Sequence, residues 1–125
     1  MNIGDAFLLP TPPKGNHLFF VIATTADGNY LCVNATSLRS SSDTACILKT
    51  GLGVPSFIVH DSAIAYIHAR EISPAVYARL VSNGQCIAKG SCSASILDKI
   101  QKGALASKQI AKKHKQTVKN FLGLH

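Results

Sequence analysis

From Leu18 to Ala23 the chain is apolar without a break, and Asp27-Gly28 and the run Tyr30-Leu31-Cys32-Val33 follow shortly after. A short apolar run of β-favouring types reads as a strand covered on both faces. Asp-Gly between two such runs signals a hairpin, because a type I′ turn needs positive φ at both central residues. A literal two-residue turn sets Ala26 opposite Asn29 and Thr25 opposite Tyr30. Counting outward, Val21 faces Asn34, Phe19 faces Thr36 and His17 faces Leu38. Since side chains alternate, His17, Phe19 and Val21 share a face with Asn34, Thr36 and Leu38. His17 and Thr36 become diagonal neighbours, roughly 7 to 8 Å apart. An imidazole, a hydroxyl and an amide thus gather at one end of a ribbon, and a slip of one residue would scatter them. The competing interpretation is that all three only satisfy backbone groups where the sheet frays.

The remaining elements follow from punctuation. Ile3 to Leu9 reads as a first strand, and Pro10, Pro12 and Pro13 make the segment up to Asn16 a stiff loop that delivers Lys14 beside His17. Further short strands are expected at Ala45–Lys49, Phe57–His60 and Ala63–His68, with a polar loop carrying Arg39 before them. Several short strands with polar breaks point to a small antiparallel barrel or a strongly curled sheet over residues 1–70. The period then changes. Ser73-Pro74 opens a helix that Asn83-Gly84 stops. Ser91 or Ser93 caps a second helix ending near Gly103, and residues 71–103 are read as helices packed on the barrel. A basic third helix is expected from about Leu105 to Leu122, within 104–125, with Ile110, His114, Val118 and Leu122 at four-residue steps. Lys108, Lys112, Lys115 and Lys119 line another of its faces, as a solvated surface, a phosphate-binding rail or a membrane-surface helix. The class is α+β, mainly β, in a single domain with two or three C-terminal helices.

A chain of 125 residues buries one core of ordinary size. No apolar run approaches the ~18 residues of a membrane span, which leads to the expectation of a soluble, cytoplasmic protein without membrane partners. Cys32, Cys46, Cys86 and Cys92 form no C-x-x-C pair and are expected as free thiols, although Cys86 and Cys92 could bridge or join a histidine at a metal. No metal or cofactor is expected. The formal net charge of +7 is uneven, because every acidic residue lies at or before Asp98 while lysines recur from Lys99 to Lys119. Such asymmetry favours a polyanionic partner: nucleic acid, an anionic membrane or an acidic protein segment.

Gly4-Asp5-Ala6-Phe7-Leu8-Leu9, then the loop and apolar strand from Pro10 to Thr25, then Asn34-Ala35-Thr36-Ser37, then Asp61-Ser62 occur in that order. In this order they resemble the MazF/PemK (Kid-type, CcdB-like) toxins of bacterial toxin–antitoxin pairs, over roughly residues 3 to 82. The resemblance implies an SH3-like barrel, usually a homodimer, that cleaves single-stranded RNA without a metal and is silenced by an acidic antitoxin segment. Members commonly carry an arginine before a proline at the start of the second strand, where this chain has His17-Leu18. Thr36 matches the family position that accompanies that arginine.

Strand cleavage by the RNA's own 2′-hydroxyl needs a base, an acid and positive charge at the phosphate. Histidine as a residue type serves as base or acid near neutral pH. His17 is therefore the expected acid/base, Arg39 the phosphate clamp and Thr36 the positioning group, with Lys14, Asn34 and Ser37 contacting RNA. Consecutive His60, Asp61 and Ser62 make a poor hydrolytic triad, since neighbours on a strand point to opposite faces, and read better as a turn with local side-chain bonds. The rival functions are a barrel that binds nucleic acid or an acidic protein without chemistry, and an interaction domain anchored by its basic tail.

Overall fold

The computed structural model describes residues 1–10, 15–40, 42–51, 53–55 and 58–124. It is an α+β structure built on one antiparallel sheet. In chain order the strands are β1 (Asp5–Pro10), β2 (Asn16–Thr24), β3 (Tyr30–Ser37), β4 (Ile47–Leu48), β5 (Ser62–Ile64), β6 (Arg70–Ile72) and β7 (Ile87–Ser91). Helix α1 (Pro74–Ser82) lies between β6 and β7, and α2 (Ala94–Ala106) and α3 (Lys112–Phe121) close the chain. The strand order is β4-β5-β3-β2-β1-β7, with β6 also paired to β3. Among the described residues β4 and β7 do not pair with each other, so the sheet is open.

Alternation along the strands gives this sheet two covered faces. On the first, Phe7, Leu9, Phe19, Val21, Cys32 and Ile72 pack with Val76, Tyr77 and Leu80 of α1. Phe7 stacks on Phe19 at 5.6 Å, and Tyr77 meets Phe7 edge-on at 5.7 Å. On the second, Leu18, Phe20, Ile22, Leu31 and Val33 pack with Ile100 and Ala104 of α2, with Ile110 and with Val118 of α3. Burial on both sides explains why Leu18–Ala23 could be apolar throughout.

The central hairpin departs from the expected register in two places. Among the described residues no non-glycine has positive φ, so Asp27 does not adopt the conformation a type I′ turn requires, and of the loop residues Gly28 alone is left-handed, at φ +84°. The connection is instead the three-residue loop Ala26-Asp27-Gly28, closed by Gly28 N–H on the Thr25 carbonyl at 3.0 Å and Thr25 N–H on the Asn29 carbonyl at 2.9 Å. Thr24 therefore pairs with Tyr30, one residue off the two-residue count. A bulge follows, since Ala23 pairs with Leu31 but Val21 pairs with Cys32, leaving Ile22 as the extra residue. Both Ile22 and Ala23 lie in the second-face core. Two displacements of one residue restore the expected faces, and Phe19 pairs with Asn34 rather than Thr36.

The helix caps are where the sequence puts them. Ser73 Oγ accepts from Val76 N–H at 3.1 Å and Ser93 Oγ from Ile96 N–H at 3.2 Å. Gly103, expected near the end of the second helix, lies inside α2, which continues to Ala106. A Cβ there would stand 2.8 Å from Cys46 Cβ and would meet the Tyr66 hydroxyl, which donates to the Ile100 carbonyl at 2.6 Å. Its role is close approach.

The single third helix from 105 to 122 is not formed. Ser107 takes extended angles as C-cap of α2, and its Oγ accepts from Gln109 and Ile110 N–H while donating to Asp43 Oδ2 at 2.6 Å. The basic segment is therefore split into a joint and the separate α3, with Lys108 in the joint. Residues 58–60 form no strand, since Ile58 N–H turns back on the Pro55 carbonyl at 2.9 Å, and Phe57 lies outside the described residues. The strand expected over 63–68 shortens to β5 and yields to a 3₁₀ turn at Tyr66–His68. β6 and β7 have no strong strand signature; β7 is solvent-exposed throughout and is held by its pairing with β1.

Candidate functional site

Where β2 and β3 part, the first face opens. The ladder ends at Phe19–Asn34, and alternation carries His17 and Thr36 onward onto that same face. His17 pairs across β2 with Leu9, itself part of the first-face core, which fixes the side on which the imidazole stands. His17 and Thr36 line one open hollow of about 390 Å³ together with Ser37, Arg39, Asp43 and Gln109. The hairpin supplies the first three of these, the polar loop after β3 supplies Arg39 and Asp43, and the α2–α3 joint supplies Gln109. Imidazole, hydroxyls and guanidinium thus come to one place.

Asn34 stands on the same face but lower. It is 6% exposed, paired with buried Phe19, and its side-chain oxygen is buried without a hydrogen-bond partner. Lys14 lies outside the described residues. Of the proposed rail, Lys108, Lys112 and Lys119 are exposed, whereas Lys115 donates to the Ser107 carbonyl at 2.9 Å and ties α3 to the end of α2. Lys108 adjoins Gln109 and so stands next to the hollow.

In the sequence His60 reads as the end of a short apolar run that leads into the Asp61-Ser62 turn, and not as part of the site. Ser62 Oγ does make the local bond to the His60 carbonyl, at 3.1 Å. Its ring, however, reaches across to β3, where Nε2 lies 2.9 Å from Ser37 Oγ. Ser37 lines both the main hollow and a smaller one of about 200 Å³ that also includes His17 and Ser62. A second imidazole therefore borders the site, linked to it through a hydroxyl. No spacing in the sequence announces this, because the pairing of β5 with β3 at Ser37–Ser62 is what brings the two segments together.

Two further groups of ionisable residues lie elsewhere. At the loop end of the hairpin, Glu71 accepts from Asn29 Nδ2 at 3.4 Å and pairs with Lys113 of α3 at 3.3 Å. The Asn29 hydrogen bond, with Lys113 assisting, holds that carboxyl below its usual range. The four cysteines are free; burial pushes the Cys32 thiol up to about 12, so it is a packing residue and not a nucleophile. Among the described residues no group of histidine, cysteine and carboxylate side chains could hold a metal ion. None of their helices is long and apolar enough to cross a membrane. Compared with family models, with curated proteins and with solved structures, the chain matches none.

Proposed function

We propose that the chain is an endoribonuclease of the MazF/PemK type, cleaving single-stranded RNA by attack of its 2′-hydroxyl on the adjacent phosphorus. The observation that carries this reading is the convergence of His17, Thr36 and Arg39 on one open hollow at the frayed end of the hairpin. His17 takes the hydroxyl proton as the new P–O bond forms, and Arg39 meets the charge that builds on the phosphorane. Thr36 and Ser37 donate to a non-bridging oxygen. The bond to the 5′-oxygen then breaks, that oxygen needs a proton, and His60 beyond Ser37 is the second imidazole at hand. The products are a 2′,3′-cyclic phosphate and a 5′-hydroxyl. In this reading the open sheet corresponds to an SH3-like barrel, the active form is a homodimer, and an acidic antitoxin-like segment covers the basic joint around Lys108.

A defined single-stranded RNA incubated with the purified protein in EDTA tests the proposal. Cleavage to cyclic-phosphate ends is expected, with His17→Ala slower by ~10²- to 10⁴-fold and Arg39→Ala by ~10²- to 10³-fold. Binding without cleavage by the wild-type protein would replace this reading with that of a non-catalytic nucleic-acid-binding module.

A further inference from the structure

The first face carries a second cation that the sequence did not single out. On that face the side chains stand in rows: Leu9 and His17, then Phe7, Phe19 and Asn34, then Val21, Cys32 and Arg70. Arg70 belongs to the third row through the pairing of β6 with β3. It leans back one row, so that its guanidinium carbon lies 5.0 Å from the centre of the Phe19 ring. Rows are two residues apart along a strand, about 7 Å. The ring that Arg70 covers belongs to the residue one row from His17 along β2. Phe19 is fully buried while Arg70 is exposed, so the cation lies over the ring with its outer edge in water. Among the described residues no carboxylate pairs with it.

We infer that Arg70, held over Phe19, is a phosphate-binding residue of the His17–Thr36 site and takes a backbone phosphate of a single-stranded nucleic acid. Rows about 7 Å apart at the backbone allow side chains from neighbouring rows to hydrogen-bond one tetrahedral phosphate from two sides. A cation–π contact restrains the guanidinium without using its N–H groups, which leaves them available to a ligand. Asn34, between Phe19 and Thr36 on this face, adds a buried acceptor without a donor, a feature native structures retain where a ligand or water completes it. This assignment rests on the reading of the face as a phosphodiester site, and goes beyond it in naming a second cation, on β6, besides Arg39.

The test uses a single-stranded DNA octanucleotide, which lacks the 2′-hydroxyl and cannot be cut. Its affinity is measured against salt for the wild type, Arg70→Gln and Arg70→Lys, with thermal unfolding of each. Arg70→Gln is expected to weaken binding about tenfold or more and to lower the slope of log affinity against log salt by about 0.7. Arg70→Lys keeps the charge and hence the slope, but loses the fork and binds more weakly. A mere lid over Phe19 would alter melting in both variants and leave the slope alone. A folded Arg70→Gln protein with wild-type affinity and slope would overturn the inference, as would absence of binding by the wild type. If Arg70→Gln does not fold, an Arg70→Lys protein that binds as the wild type does would overturn it too. RNA cleavage assayed in parallel separates the two ideas. Arg70-dependent binding without cleavage removes the nuclease and keeps this site, and cleavage with Arg70-independent binding does the reverse.

Discussion

A single amide holds the irregular point of the ribbon. Ile22, the extra residue of the β2 bulge, has a carbonyl outside the regular ladder, and Gln101 Nε2 of α2 donates to it at 2.9 Å. Gln101 is itself buried, so neither group has water as an alternative partner. Gln101→Leu keeps the volume roughly and removes the donor, and is expected to cost about 1–3 kcal/mol, read as a drop in the urea midpoint at unchanged slope. Nothing in the sequence marks this residue, since a glutamine in an otherwise amphipathic helix reads as surface. His60 was illegible for a related reason: its partner Ser37 is far away in sequence, and only the sheet pairing joins them. That His17 and Thr36 share a face, by contrast, followed from strand parity, whereas Arg39 lies in the loop after β3, where parity says nothing.

Elements whose ends carry a side-chain signal were the legible ones. Ser73-Pro74 and Ser93 cap α1 and α2 as their chemistry requires. The apolar run from Leu18 fell inside β2 for the same local reason. The joint between α2 and α3 was not legible, because the helical spacing of Ile110, His114 and Val118 runs straight through it. At the interruption Ser107 Oγ donates to a distant carboxylate, Asp43, while accepting the Gln109 and Ile110 N–H groups. Ser107→Ala removes that bond and the two backbone N–H contacts together. It is expected to destabilise by about 2 kcal/mol, against about 1 kcal/mol for the cap substitution Ser73→Ala, both measured by denaturant unfolding. The larger effect should come with faster amide exchange in α3 than in α1.

For the molecule as a whole, ionisable groups border the seam where the last helix, anchored by buried Val118, meets the sheet. Glu71 of β6 and Lys113 of α3 are paired, and beside them burial, with Lys113 assisting, holds the His114 imidazole below its ordinary value. His114 Nδ1 is buried and has no hydrogen-bond partner. The unfolded chain therefore takes up a proton at this residue first, and stability is lost as pH falls below about 6.5. Glu71, held low in the folded state, adds stability present above its unfolded value and lost on further acidification. Urea midpoints should thus decline from about pH 7 towards pH 5, and His114→Leu should flatten that decline. The Ile22 bulge has a consequence for the length of the chain itself. Ala23 and Val21 already face opposite sides, with Leu31 and Cys32 as their consecutive partners. A variant lacking residue 22 would therefore zip into an unbroken ladder, with the imidazole at 17 and the hydroxyl at 36 still on a common side, and that position is where this arm can lose a residue without turning itself over.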